Sequence, residues 1–497
     1  MITADDQEEG RCWLGVDLGT QSVRVVAVSR TGLLVGRGSH PLTSQLDGVR
    51  REQDPEEWWR ATVSACRAAV AGLPRSSIQS MAVAGTSGTV LLVDRSGKPL
   101  TPALMYDDSR AVNESRLVNA AGASTWASLG YRMQPSWGLP KLLWLLHEHR
   151  GSLTSARLAH QADFINCRLA GHDVGSDSSN SLKTGYDLIR ETWPREVLET
   201  LDVPEHIMPA VARPGSQIGT VCPEAAALTG IPAGTPIIAG MTDGCAAQIA
   251  AGALRVGSWN SVLGTTLVLK GVTSELIHDP AGIVYSHRSP AGNWLPGGAS
   301  STGAGILAQQ FPGRDLDALS AQAAEREPAS VVTYPLVSRG ERFPFTAPDA
   351  EGFVLGTPID EVDLYAALLQ GVAFVERLCF DSLDQLGAPI AGDLTFTGGA
   401  TRSRYWCQLR SDILGRPVRL PENAEPALGM AILAAANSEE RSIADVAHEM
   451  IRIREVLTPR PNRTALFHEP YLRLVEELSR RGWIPPSLRE HAEKRTH

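Results

Sequence analysis

The alternation of apolar and polar positions divides the chain into short strands and amphipathic helices from end to end. Residues 13–17 run apolar up to Asp17, and an apolar run resumes at 23–29 after Gly19-Thr20-Gln21-Ser22. Glycine lets the backbone turn tightly, so this spacing predicts strand, turn, strand. A third strand, 33–38, follows the turn Arg30-Thr31-Gly32. Asp54-Pro55-Glu56-Glu57 reads as a helix start, with Asp as the cap, Pro in the first position and acids in the first turn. That helix is expected to run to about Leu73. Residues 78–84 and 89–94 read as strands on either side of Gly85-Thr86-Ser87-Gly88. From about 108 to 171 the pattern turns helical, with Leu139, Leu142, Leu143 and Leu146 on one face. Residues 236–240 end a strand that leads into Met241-Thr242-Asp243, and the small residues 244–252 suit a closely packed helix.

The second half starts in the same way. Asn260-Ser261-Val262-Leu263 runs into Gly264-Thr265-Thr266, and a strand resumes at Leu267. Gly297, Gly298 and Gly303 precede a helix, and 363–383 is a long amphipathic one. A strand at 393–397 leads through Gly398-Gly399-Ala400 into a helix ending near Leu414. Residues 424–436 form a small-residue helix, and the polar stretch beyond is helical, most clearly at 469–478. The expected layout is a disordered tail over 1–12, an N-terminal lobe over 13–252 and a C-terminal lobe over 253–436. Residues 437–497 are expected to pack back on the N-terminal lobe. Mixed sheets flanked by helices make each lobe α/β. Two Gly-Thr turns, one in each half, suggest two lobes that grip one nucleotide, because exposed N–H and hydroxyl groups at such turns can line a phosphate. Taken singly, each turn also reads as an ordinary hairpin.

Composition narrows the function. A chain of 497 residues exceeds what one core encloses, roughly 250–300 residues. It is 43% hydrophobic and 20% charged, as in a folded globular protein. The net charge is −9 with no basic block, which argues against nucleic acid as a partner. The seven cysteines are scattered and include no C-x-x-C pair, which points to reduced thiols in the cytoplasm. The first ten residues are polar and acidic, unlike a signal peptide. No apolar run approaches the ~20 residues of a membrane span.

The candidate chemistry lies at the turns. Asp17, two residues before Gly19, is placed to hold Mg²⁺, which takes one or two carboxylates plus phosphates. A turn-forming Asp is the alternative. Arg24 could reach a transferred phosphate, or could be a surface residue. Asp243, at a strand end, could accept the proton of an attacking hydroxyl in phosphoryl transfer, or could cap the helix that follows. Gly398-Gly399-Ala400 permits close approach of a flat ligand such as adenine, and Thr86, Ser87 and Thr89 offer hydroxyls to a sugar. The chain has no Walker loop, G-x-S-x-G elbow or H-E-x-x-H motif.

In order, the segments 15–22, 240–253, 261–269, 297–303 and 397–429 resemble the FGGY carbohydrate kinases of the actin–hexokinase superfamily. Gly85-Thr86-Ser87-Gly88-Thr89, Lys183-Thr184-Gly185-Tyr186, Tyr285-Ser286-His287 and Ser338-Arg339-Gly340-Glu341-Arg342-Phe343-Pro344 are most similar to the D-ribulose kinases, the xylulose-kinase-like members. The resemblance implies two actin-like, ribonuclease-H-like lobes with a nucleotide cleft. It also implies ATP- and Mg²⁺-dependent phosphorylation of a terminal ketopentose hydroxyl, with D-ribulose the leading substrate. D-xylulose, another sugar or polyol, or a non-catalytic nucleotide sensor on the same fold are the alternatives. Carried over by motif, Asp243 is the catalytic base, and Asp17 the metal- and substrate-side carboxylate. Mg²⁺ falls to Asp17 and Asp243. Thr20, Gln21, Gly85, Thr86 and Ser87 join them on the sugar. Gly19, Thr20, Gln21, Arg24, Gly264, Thr265, Thr266, Gly303, Gly399, Ala400 and Ser403 fall to ATP. Gln21 stands where such relatives often have Ser, Ser403 where Asn is frequent, and Gly138 where a small hydroxyl residue or Pro is usual. A monomer or homodimer is expected.

Overall fold

A computed structural model describes residues 10–149 and 155–496. Most of the tail expected over 1–12 lies outside that range, but Cys12 is buried and opens the first strand. The chain forms two compact units. One takes the described residues through Gly252, together with His287–Asn293 and Asn423–Arg452. The other takes Ala253–Ser286, Trp294–Glu422 and the residues from Ile453 onward.

The first unit is built on a mixed sheet. Its strands run in the order Gln217–Thr220, Pro236–Ile238, Ile78–Gly85, Cys12–Leu18, Ser22–Ser29, Leu34–Pro41. Cys12–Leu18 pairs antiparallel with Ser22–Ser29 and parallel with Ile78–Gly85. Every residue of Cys12–Leu18 is buried, as expected of a strand covered on both faces. Helix Pro55–Val70 begins as its sequence predicts, with the Asp54 carboxylate accepting the Glu56 N–H at 2.9 Å.

The second unit repeats this plan. Its seven-stranded sheet runs Tyr285–Arg288, Trp294–Ser300, Leu267–Gly271, Trp259–Leu263, Leu394–Thr397, Val418–Pro421, Ile453–Leu457. Again two antiparallel pairs meet two parallel pairs, and an antiparallel strand closes the edge. Helix Glu361–Gln385 crosses this unit, capped by Asp360, whose carboxylate accepts the Asp363 N–H at 2.9 Å.

The structure departs from the sequence reading in three places. The stretch expected to be helical from 108 to 171 contains the strand Arg157–His160, which pairs with Val90–Val93 in a small second sheet. That sheet also holds Gln45–Asp47, exposed throughout, and the polar Arg50–Gln53, both without the alternation that marks a half-buried strand. Helix Pro426–Ser438, expected to close the C-terminal lobe, belongs to the first unit. It fits because glycine lines two of its closest contacts. A β-carbon on Gly15 would fall 1.7 Å from the Ala427 carbonyl oxygen, and one on Gly429 would fall 1.9 Å from that of Ala246. Finally, the C-terminal segment divides. Helices His468–Arg480 and Pro486–Thr496 join the second unit. There the Tyr471 hydroxyl donates to Asp381, and Arg377 donates to Thr496 at 2.7 Å.

Candidate active site

Asp17, one residue before the end of its strand, lies opposite Arg24 on one side and Ala84 on the other. Only 3% of Asp17 is exposed. Burial raises its carboxyl, and Asp243 raises it further, to about 7. Arg24, 3.7 Å away with its side chain 45% exposed, lowers it but does not offset the other two, and Glu425 adds to the rise. The fold therefore brings together the two carboxylates that the sequence picked out far apart.

The adjoining turn is oriented by its carbonyls. Gln53 Nε2 donates to the Thr20 carbonyl at 2.7 Å, and Leu42 N–H donates to that of Gln21 at 2.9 Å. A trans peptide points its N–H opposite to its C=O. The N–H groups of Gln21 and Ser22 are thus directed away from those donors, as a phosphate cradle needs. Gln53, held in turn by Trp58 Nε1 at 2.6 Å, escaped the sequence reading because its partner is distant in the chain.

Asp243 is the first residue of helix Asp243–Ala250, and Thr242 holds the cap position, so the carboxylate is not the N-cap. Asp243 Oδ1 accepts the N–H of Gly244 at 2.7 Å, and the side chain is partly exposed. Thr242 is fixed by Ser179, whose Oγ accepts its N–H at 3.2 Å and lies 3.1 Å from His287 Nδ1. A parallel bridge between Gly85 and Thr242 sets the loop 85–88 beside the start of this helix.

In that loop Thr86 is committed to the protein. Its N–H and hydroxyl both donate to Gln161 Oε1 at 2.8 Å, and its hydroxyl is 2.6 Å from that of Thr89. The Ser87 carbonyl accepts from Lys183 Nζ at 3.2 Å. Lys141 is buried, bonded to the Met105 carbonyl at 2.7 Å, and burial pushes its ammonium down to about 7. Gly138 has no room for a side chain: a β-carbon there would meet Thr184 Oγ1 at 2.2 Å.

The second unit treats its own turn alike. Ala304 N–H donates to the Gly264 carbonyl at 2.9 Å, and Gly305 N–H to that of Thr265 at 3.2 Å. The Thr265 and Thr266 N–H groups are again directed away. A β-carbon on Gly264 or Gly399 would meet nothing within 4 Å, whereas one on Gly303 would meet the Thr265 carbonyl oxygen at 2.4 Å. Gly303 is therefore required by packing. Ala400 is buried in the core, and Ser403 caps helix Arg404–Leu414, its Oγ accepting the Trp406 N–H at 3.2 Å. Both side chains expected on the nucleotide are already engaged.

Among the described residues no group of three or more His, Cys, Asp or Glu side chains could hold a metal ion. Among them, no helix is long and apolar enough to cross a membrane.

Residues 12–250 match the N-terminal domain of the FGGY family of carbohydrate kinases, and 259–438 match its C-terminal domain. The chain is 30% identical over 447 residues to a xylulose kinase of Escherichia coli, covering 87% of this chain and 91% of the relative. It is 25% identical over 465 residues to a gluconokinase of Bacillus subtilis, covering 88% and 90%. The crystal structure of xylulose kinase from Rhodospirillum rubrum superposes with a TM-score of 0.85 at 26% identity, covering 95% of this chain and 99% of that one. The chain belongs to the FGGY family of carbohydrate kinases. It is an ATP-dependent sugar kinase with two α/β domains.

Proposed function

We propose that this kinase transfers the γ-phosphoryl group of ATP to a terminal hydroxyl of a ketopentose, D-ribulose first. The observation that carries this reading is the proximity of Asp17 and Asp243, close enough for one to raise the other's carboxyl. Asp243, partly exposed at a helix start, takes the proton as the hydroxyl oxygen attacks phosphorus and ADP departs. Asp17 orients the sugar beside it. The loop 85–88 contributes Ser87, since Thr86 is spent on Gln161.

The turn at 264–266 takes the polyphosphate in the second unit, and the turn at 19–21 supplies N–H groups in the first. Two mutually repelling carboxylates suit Mg²⁺, which draws the rest of its shell from phosphate and water. When bound, the ion offsets the phosphate charge. All seven cysteines are free, which supports a place in the reducing cytoplasm.

Relatives named xylulose kinase and gluconokinase put D-xylulose and gluconate on the sugar panel, beside D-ribulose, L-ribulose and glycerol. The highest kcat/KM is expected on D-ribulose, and a preference for D-xylulose would move the acceptor to that ketose. Asp243→Ala is expected to abolish sugar-dependent ADP release while nucleotide binding persists. Retained turnover in that variant would sink the assignment of the base. ADP release unaffected by every sugar would favour a nucleotide sensor.

A further inference from the structure

The segment 338–344 stands out in the sequence, yet the reaction as described leaves it without a task. At its centre Glu341 is 3% exposed. Among the described residues six donors converge on its carboxylate. Oε1 accepts the N–H groups of Ser301 at 2.6 Å, Arg342 at 2.9 Å and Phe343 at 3.4 Å. Oε2 accepts the hydroxyls of Tyr334 at 2.8 Å, Ser300 at 3.0 Å and Thr302 at 3.2 Å.

Three of those donors belong to Ser300-Ser301-Thr302, which is joined directly to the second Gly-Thr turn. The Thr302 carbonyl accepts the Leu267 N–H at 2.8 Å, and the next residues, Ala304 and Gly305, donate to the carbonyls of Gly264 and Thr265. Those carbonyl bonds orient the peptides whose N–H groups are directed the opposite way. The carboxylate lies one step behind them. Its own backbone is anchored in both directions to Ala347, at 2.9 and 3.0 Å. The chain of contacts therefore runs from a fixed loop, through one side chain, to the turn.

We propose that Glu341 is a positioning residue for nucleotide binding: it holds Ser300-Ser301-Thr302 so that the turn at 264–266 keeps its N–H groups aimed at the polyphosphate. This rests on the reading that this turn takes ATP. The chemistry asks for a carboxylate and nothing else. An amide of the same shape would turn one acceptor into a donor facing three donors, and at least one hydroxyl or N–H would be left unpaired in the core.

The test compares three full-length variants by MgADP calorimetry, by KM for ATP and for sugar, and by thermal melts. Glu341→Gln is expected to raise Kd for MgADP and KM for ATP by about tenfold or more, with KM for sugar unchanged. Thr302→Val, which cuts the tie on the turn side, should raise both nucleotide constants severalfold. Tyr334→Phe removes a donor to the same oxygen that comes from another element, the strand Val332–Tyr334, and not from Ser300-Ser301-Thr302. It should lower the melting temperature and leave the nucleotide constants within about twofold.

If Glu341→Gln does not fold, the contrast between Thr302→Val and Tyr334→Phe decides. Equal effects of those two on nucleotide binding, or none, would overturn the proposal and leave Glu341 a core residue only. Failure of the unaltered protein to bind MgADP would sink the functional reading itself, and the proposal with it.

Discussion

Asp17 puts a cost on the first unit that the sequence alone does not reveal. Its carboxyl titrates near 7 in the folded chain and near 4 when unfolded. Between those values the native state holds a proton that the unfolded chain has released. Stability therefore falls as pH rises from about 4 to about 7, and the deficit is complete above 7. Its size is on the order of 4 kcal/mol. Asp17→Asn should consequently melt about 5–10 °C higher than the parent at pH 8, with the gap closing towards pH 4. The same variant should lose turnover by about a hundredfold or more. A melt that does not depend on this residue across the pH range would contradict the burial and the pairing with Asp243. The candidates legible in sequence, Asp17, Asp243 and the two turns, are those marked by local punctuation, a strand ending in a turn. Gln53, Gln161 and Glu341 carry no such mark. Each acts on a partner in another element, so its role exists only once the chain has folded.

Among the elements, helix Pro426–Ser438 sets the tightest tolerances. Six of its ten buried residues are alanine or glycine, and it touches the strand bearing Asp17 and the helix bearing Asp243. Gly429→Ala would place a β-carbon 1.9 Å from the Ala246 carbonyl oxygen, a backbone atom that cannot swing aside. The helices must then separate, at roughly 1–3 kcal/mol or more. A lower melting temperature and reduced turnover are expected together, because Ala246 lies in the first turn after Asp243. An unchanged melt would mean that the contact is looser than described. The sequence predicted this helix from its composition but not its location, since alanine and glycine tell only that something comes close. Helix Glu361–Gln385 was legible over 363–383 because its amphipathic pattern is a local feature.

Across the whole molecule, six strands in each unit's main sheet share one order and direction, built from unlike residues. Sequence reading found the hairpin that opens each plan and could not see the plan itself, because strands such as Pro236–Ile238 take their place through distant neighbours. The same limit explains the C-terminal segment. Its polar helices were expected on the N-terminal lobe, and Tyr471, Arg377 and Asp381 assign them to the second unit instead. The Tyr471 ring lies 6.1 Å from that of Phe374 on the long helix. A chain ended after Leu457 should uncover this apolar surface. In calorimetry the second unit's transition should broaden and move to lower temperature, and limited proteolysis should cut that unit first. A transition identical to that of the full chain would show that these helices add nothing to its stability.

The placement of helix Pro426–Ser438 also governs when the protein can fold. Ser80 Oγ donates to the Ala434 carbonyl at 3.0 Å across 354 residues of chain. At a synthesis rate of about 5–20 residues per second, the strands of the first sheet wait roughly 20–70 s on the ribosome before the helix that covers them emerges. During that interval an apolar sheet face stands open. The nascent chain is accordingly a natural client for chaperones, and a ribosome stalled anywhere before Pro426 releases a first unit that cannot close.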